Sequence, residues 1–335
     1  MNWNSYKLVN LGFARSVYPV INKWRVDTMN MTAMDTNKMI HVREDAPVIY
    51  GYSPNLLPKS KDWAARPDIH VVGFWSLPTP NKPAPGQNAL WDRLTSFIDD
   101  AKAKERKVVY MGFGSMEISD AQLFQYKQAA QLLSVRLNAS VVFHLGGTGK
   151  VGDAANGETD IAPPKESPSL FGFLRTFFGF RAPTGPQKDV LIIRGHVLHD
   201  WFMDRMDLAV HHGGAGTMFT MMKAGIPSIV RPHFGDQHLW QQVVEEEQLG
   251  TGISDVPRDL EAAVRRILSN NVYKENMVRL RAKLQHERAV DGFVNALGAE
   301  VERWHANHNI QERFNEVMPV MQQYWITEDK EITED

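Results

Sequence analysis

Asp207-Leu208-Ala209-Val210-His211-His212-Gly213-Gly214-Ala215-Gly216-Thr217 decides how the rest of the chain is read. An apolar run ends in two histidines, and a glycine-rich turn then leads into a helical pattern. A short run that is apolar at successive positions is a strand buried on both faces. Glycines after such a strand let the backbone turn tightly and approach a ligand closely. The helix that follows opens with N–H groups lacking intrahelical partners and with the positive end of its dipole. Strand, turn and helix start together make an anion site, most naturally one for phosphate. Thr217 and an imidazole add donors, and a hydrogen bond to a charged group contributes about 1.5–3 kcal/mol. The competing reading is a plain strand-to-helix turn whose glycines serve close packing alone.

The same strand signature recurs on both sides. Lys107–Met111, Ser140–Leu145, Asp189–Ile193 and Pro227–Arg231 are short apolar runs. A helical pattern over about 120–138 follows the first, and another joins Asp207–His211 to Pro227–Arg231. Strands separated by helix-length segments predict right-handed βαβ units and a parallel sheet. Residues 89–310 therefore read as one doubly wound, Rossmann-like α/β domain. Helices are expected near Arg258–Ser269, Tyr273–Glu287 and Asp291–His305, and residues 311–335 form a last helix and an acidic, frayed tail.

Residues 1–88 differ. A helix is expected over 3–25, with Lys7, Arg15, Lys23 and Arg25 as its charges. Val48–Tyr52 and His70–Phe74 are the only strand candidates, and Pro78, Pro80, Pro83 and Pro85 mark a linker. Two strands cannot complete an α/β domain, so this section reads as the end of one. Residues 148–188 interrupt the main domain, and Leu170–Arg181 within them carries five phenylalanines. Ordinary burial accounts for them; a lip touching a membrane or a lipophilic substrate is the sharper reading.

The chain has 335 residues, 43% hydrophobic and 23% charged, which is globular. Its net charge of −2 excludes a chain-wide footprint for nucleic acid. With Cys 0 there is no disulfide, thiolate nucleophile or cysteine-based zinc site. No apolar stretch reaches the roughly 18 residues of a membrane span, and the first residues lack a signal peptide's pattern. The expected location is cytoplasmic, with peripheral membrane contact through 170–181 as the added expectation.

Half of the 12 histidines lie between His196 and His238. The pair His211-His212 invites a metal reading, but no supporting carboxylate spacing accompanies it, so no metal is expected. His233-Phe234-Gly235-Asp236-Gln237 follows the next strand and reaches the same crevice, since ligands of open α/β sheets bind beyond the strands' carboxyl ends. An adjacent Asp and Gln suit the hydroxyls of a sugar, although alone such a pair is usually a helix cap.

Here the chain resembles a family. His211 to Thr217, Gly225-Ile226-Pro227 and Phe234-Gly235-Asp236-Gln237 together resemble the donor-binding signature of UDP-dependent glycosyltransferases of the GT-B type. The paired histidines with Gly-Gly-Ala-Gly-Thr are most similar to fungal and bacterial sterol glucosyltransferases. Phe113-Gly114-Ser115-Met116 matches the family's Phe-Gly-Ser turn. Gly195-His196-Val197-Leu198-His199-Asp200-Trp201 resembles its uracil-facing loop, with Leu198 where Pro is usual. Asn22–Arg25, Tyr52–Pro54 and Val72–Trp75 resemble the end of the acceptor domain. The resemblance implies two facing Rossmann-like domains, with residues 89–310 as the donor half and 1–88 as an acceptor-side remnant plus linker.

By the same resemblance Ser115, His212, Gly214, Ala215, Gly216 and Thr217 hold the diphosphate, Val197 and Leu198 meet the uracil, and Asp236 and Gln237 hold the sugar. The implied reaction is inverting transfer of glucose from UDP-glucose to a lipophilic hydroxyl such as a sterol's, with the UDP-sugar as substrate and neither cofactor nor metal. The family's glycine-rich opening and its general base have no match here, and His41 and His70 sit in no matching motif. The base is therefore expected in a part preceding this chain or on a second chain supplying the acceptor domain. A UDP-sugar-binding subunit or inactive binding module is the alternative. An unrelated dinucleotide enzyme is disfavoured because Gly-x-Gly-x-x-Gly follows none of the strands.

Overall fold

The computed structural model describes residues 3–34, 47–76, 82–114, 116, 118–146, 189–194 and 198–307. Ser115, Val197, His41, the insert 148–188 with its phenylalanines and the tail 311–335 lie outside the described residues. The chain divides into two compact units, Leu77–Glu287 and the pair Met1–Ser76 with Arg288–Asp335.

In Leu77–Glu287 the strands are β3 (Lys107–Gly112), β4 (Ala139–His144), β5 (Val190–Ile193), β6 (Leu208–His211), β7 (Ser228–Val230) and β8 (Gly250–Gly252). They form one parallel sheet in the order β5-β4-β3-β6-β7-β8. The order reverses between β3 and β6, and a doubly wound sheet opens its ligand crevice at that switch point. The expected strands all form; β8 is an addition.

Alternation along each strand builds two cores. Val109, Met111, Val141, Phe143, Leu208 and Val210 join one cluster with Tyr126 and Leu133 of α3 (Asp120–Arg136) and Leu260 and Val264 of α6 (Val256–Leu268). Val108, Tyr110, Val142 and Ala209 face the other way, onto Trp91, Leu94 and Ile98 of α2 (Ala89–Ala103) and Met221 of α4 (Ala215–Ala224). Both sheet faces are thus covered, which is why the strands read as continuous apolar runs. Fully burying a side chain such as Leu94 contributes about 1.5–3 kcal/mol. The helices α5 (Gln237–Glu246) and α7 (Val272–Gln285) complete the unit.

Among the described residues, side chains set three helix starts. Asn88 accepts from the Trp91 N–H, Ser119 and Gln122 form a capping box, and Asp255 accepts from the Arg258 N–H. The start of α4, at Gly214, has no side-chain cap.

The other unit holds α1 (Trp3–Asp27), β1 (Val48–Tyr50), β2 (Ile69–Val71) and α8 (Ala289–Asn307). The two strands pair in parallel, Val48 opposite Ile69. The sequence reading runs the main domain to residue 310, whereas α8 groups with the front section. His70 explains part of this: its Nε2 lies 2.6 Å from Glu300 Oε1 on α8, and Arg303 donates to both Glu300 oxygens at 2.6 and 2.7 Å. Trp75 meets Phe293 edge-on at 5.1 Å. His70 is thus a packing histidine.

Candidate functional site

Three turns meet beyond the carboxyl ends of β3, β6 and β7. The first is Phe113-Gly114, the second His212-Gly213-Gly214, and the third runs from His233 to Gln237. His212 lies between the first two. Its Cε1 is 2.9 Å from where a Cβ on Gly114 would stand, and its Nε2 is 2.5 Å from the equivalent point on Gly214. Gly114 also has φ +64, a conformation that disfavours side chains. A side chain at either position would collide with the imidazole, so the two glycine turns seat this ring.

The histidines are neutral for stated reasons. Burial lowers the His212 pKa, against a weaker upward pull from Asp236, and its buried Nδ1 finds no hydrogen-bond partner among the described residues. His211 is fully buried, and burial, then His212 and His199, push its pKa down to about 3. Its Nδ1 accepts the Gly213 N–H at 3.1 Å, which places the proton on Nε2 and fixes the turn. His233 is lowered to about 4 by burial, Arg231 and His212, and Arg231 Nη1 sits 2.7 Å from its Nδ1.

These depressed values carry a pH consequence. Above the ordinary histidine pKa of about 6.5, His211 is neutral folded and unfolded alike. Below it the unfolded chain takes up a proton that the buried ring refuses, so stability falls with pH until the folded pKa is reached. We expect a loss of about 2 kcal/mol from His211 between pH 7 and pH 5. Urea unfolding at the two values checks it, and His211→Asn should flatten the difference.

At the start of α4, Met218 N–H is bonded to Gly214 O at 2.9 Å. Ala215, Gly216 and Thr217 come before it and carry the first N–H groups of the helix. Space is open around Gly216, where a Cβ would meet nothing within 4 Å.

The third turn separates the two sugar candidates. Asp236 is exposed, makes no cap bond at the start of α5, and its Oδ2 accepts from Trp240 Nε1 at 3.0 Å. Gln237 is buried, its Oε1 accepting the His233 and Phe234 N–H groups at 2.7 and 3.3 Å. Its Nε2 lies 3.8 Å from Met116 Sδ. Gln237 therefore shapes the loop that presents Asp236. Sequence reasoning missed this, because spacing alone does not separate an exposed side chain from one turned inward.

The structure thus brings together His212, Gly214 to Thr217, Asp236 and Gln237. Leu198 stands on a separate loop, ahead of the short helical turn His199–Trp201. Sequence reasoning also missed that this loop is tied to β3: Tyr110 Oη lies 2.7 Å from His199 Nε2 and 3.1 Å from His144 Nδ1.

The sheet order is that of a Rossmann-like α/β unit, and solved GT-B glycosyltransferases share the fold. Residues 193–295 match the family model for the Erythromycin biosynthesis protein CIII-like, C-terminal domain. Two solved structures share the fold at a TM-score of 0.53, the glycotransferase of kitacinnamycin and a UDP-glucose: anthocyanidin 3-O-glucosyltransferase in complex with UDP. They are 17% and 16% identical over 85% and 79% of this chain, and the matches span 61% and 57% of theirs.

Among particular proteins the chain is similar to sterol 3-beta-glucosyltransferases. It is 27% identical over 304 residues to that of Saccharomyces cerevisiae (strain YJM789), covering 90% of this chain and 22% of that protein. It is 31% identical over 255 residues to that of Cryptococcus neoformans var. neoformans serotype D (strain JEC21), covering 75% and 14%. The chain spans about a fifth of the length of the first relative and less of the second.

Proposed function

We propose that the chain binds a UDP-sugar, UDP-glucose in the first place, in the crevice between β3 and β6, for inverting transfer of the hexose to a lipophilic hydroxyl such as a sterol's. One observation carries the reading: a neutral His212 and the uncapped start of α4 share one crevice edge with the exposed carboxylate of Asp236. Diphosphate and sugar hydroxyls ask for those two kinds of group side by side. The homology to sterol glucosyltransferases supports the hexosyl and sterol parts of the proposal.

In the proposed step the acceptor oxygen attacks the anomeric carbon from the face opposite the diphosphate. The bond from that carbon to the diphosphate oxygen breaks, and UDP leaves with the electron pair. The His212 imidazole and the N–H groups of Ala215 to Thr217 meet the charge that grows on the diphosphate. Donors already in place for developing charge lower a barrier most where water is excluded. Ser115 adds a hydroxyl to this set, and Val197 and Leu198 meet the uracil. Asp236 Oδ1 accepts from sugar hydroxyls, and Gln237 holds the loop that carries it. The acceptor's proton passes to a base that we do not assign among these residues. No metal enters the step.

Calorimetric titration of the purified chain with UDP-glucose, with and without EDTA, tests the proposal, followed by an assay of UDP release with sterol added. Saturable binding insensitive to EDTA is expected; absence of binding would sink the reading. A variant sharpens it. Asp236→Ala should weaken UDP-glucose about tenfold and leave UDP nearly unchanged, because a hydrogen bond to a charged group contributes roughly 1.5–3 kcal/mol. Equal loss of both ligands contradicts the sugar contact.

A further inference from the structure

Tyr110 lies in the middle of β3, yet its hydroxyl reaches the carboxyl edge of the sheet. The ring runs along the strand over Gly112, where a Cβ would stand 2.3 Å from the Tyr110 oxygen. Gly112 is thus what lets the ring lie there. The hydroxyl then sits between two imidazoles, His144 Nδ1 at the end of β4 and His199 Nε2 in the loop beyond β5. The tyrosine is fully buried and burial alone raises its pKa, so the group stays protonated. A phenol has one proton to give. It donates to one ring and accepts an N–H from the other, so each histidine is held in one tautomer.

The loop has further anchors. Trp201 meets Trp91 of α2 at 5.6 Å, edge to face, and Asp200 pairs with Lys223 of α4 at 2.9 Å. Leu198 immediately precedes this fixed turn, and its carbonyl accepts the Trp201 N–H at 3.0 Å. The buried end of the set is the Tyr110 hydroxyl, which joins the loop to the strand at the switch point.

We propose that Tyr110, with His144 and His199, is a positioning group that sets the height of the Leu198 loop and thereby the fit of the nucleobase, without touching the diphosphate. This deepens the UDP-sugar reading and rests on it. Nucleobase recognition then depends on a hydroxyl inside the sheet, whereas phosphate recognition depends on the His212 turn.

Two probes separate the contributions. UDP and inorganic pyrophosphate are titrated against the unaltered chain, Tyr110→Phe and His199→Gln. Removing the Tyr110 hydroxyl takes away the group that bridges the two imidazoles. Tyr110→Phe should weaken UDP about tenfold and leave pyrophosphate within twofold. His199→Gln, whose amide can still reach the hydroxyl, should recover most of the UDP affinity. Equal weakening of both probes in Tyr110→Phe would reduce the group to a packing role and overturn the proposal, as would UDP affinity unchanged in that variant. If the unaltered chain binds pyrophosphate but not UDP, the nucleotide reading itself fails, and this inference with it.

Discussion

His212→Ala is expected to weaken UDP binding ten- to a hundredfold while the chain stays folded. The ring is seated by glycines on two turns, so truncation removes one donor without pulling a packed element apart. A hydrogen bond to a charged group contributes about 1.5–3 kcal/mol, which sets the size of the effect. The imidazole acts as a neutral donor, since burial holds its pKa below the ordinary value. Any rise in UDP affinity as pH falls toward 6 should therefore be smaller than a freely charging histidine would give. His212→Asn keeps a donor at shorter reach and should fall between the two. Calorimetry at three pH values reads all of this, and UDP affinity within twofold in His212→Ala would remove the residue from the phosphate site.

Phe143→Ala should cost about 3–5 kcal/mol of stability. Phe143 is fully buried on β4, between Met111 of β3 and Ile192 of β5. Its ring belongs to the cluster that joins the sheet to α3 and α6. Neighbours on two strands and two helices cannot close around so large a hole, so the cavity cost adds to the lost burial. A domain is stable by about 5–15 kcal/mol in all, so the variant should be near its limit at room temperature. Val135→Ala is the contrast: that side chain is 65% exposed, and its loss should change stability by no more than about 0.5 kcal/mol. Urea midpoints of the two variants against the unaltered chain decide the matter.

How much of this was legible in the chain follows from which forces act locally. β3, β4, β6 and β7 announce themselves because burial on both faces writes an unbroken apolar run. β8 does not: Gly250 and Gly252 lie so close to their neighbours that a Cβ on Gly250 would stand 1.8 Å from Ser228 O. A strand defined by close approach carries no hydrophobic signal. The pattern of α8 shows that one face is buried but not against what, so its place beside β2 emerges only with the Glu300 contacts. In the site, the glycine turn after β6 was legible because its residues are consecutive. The inward turn of Gln237 was not, because a side chain's direction is settled by the backbone groups it meets. Tyr110 and His199 stand 89 residues apart, and nothing local couples them.

The return of α8 to the front section has a consequence for synthesis. The sheet unit is one uninterrupted stretch, Leu77–Glu287, and can be completed while later codons are still being read. The unit built on β1 and β2 cannot, since Glu300 and Arg303 are translated only after that stretch. Its first residues must wait through the whole translation of the middle of the chain. Contacts of such long sequence separation form slowly, and domains otherwise tend to fold in order from the N-terminus. The longest wait for a partner therefore falls on the segment that carries β1 and β2.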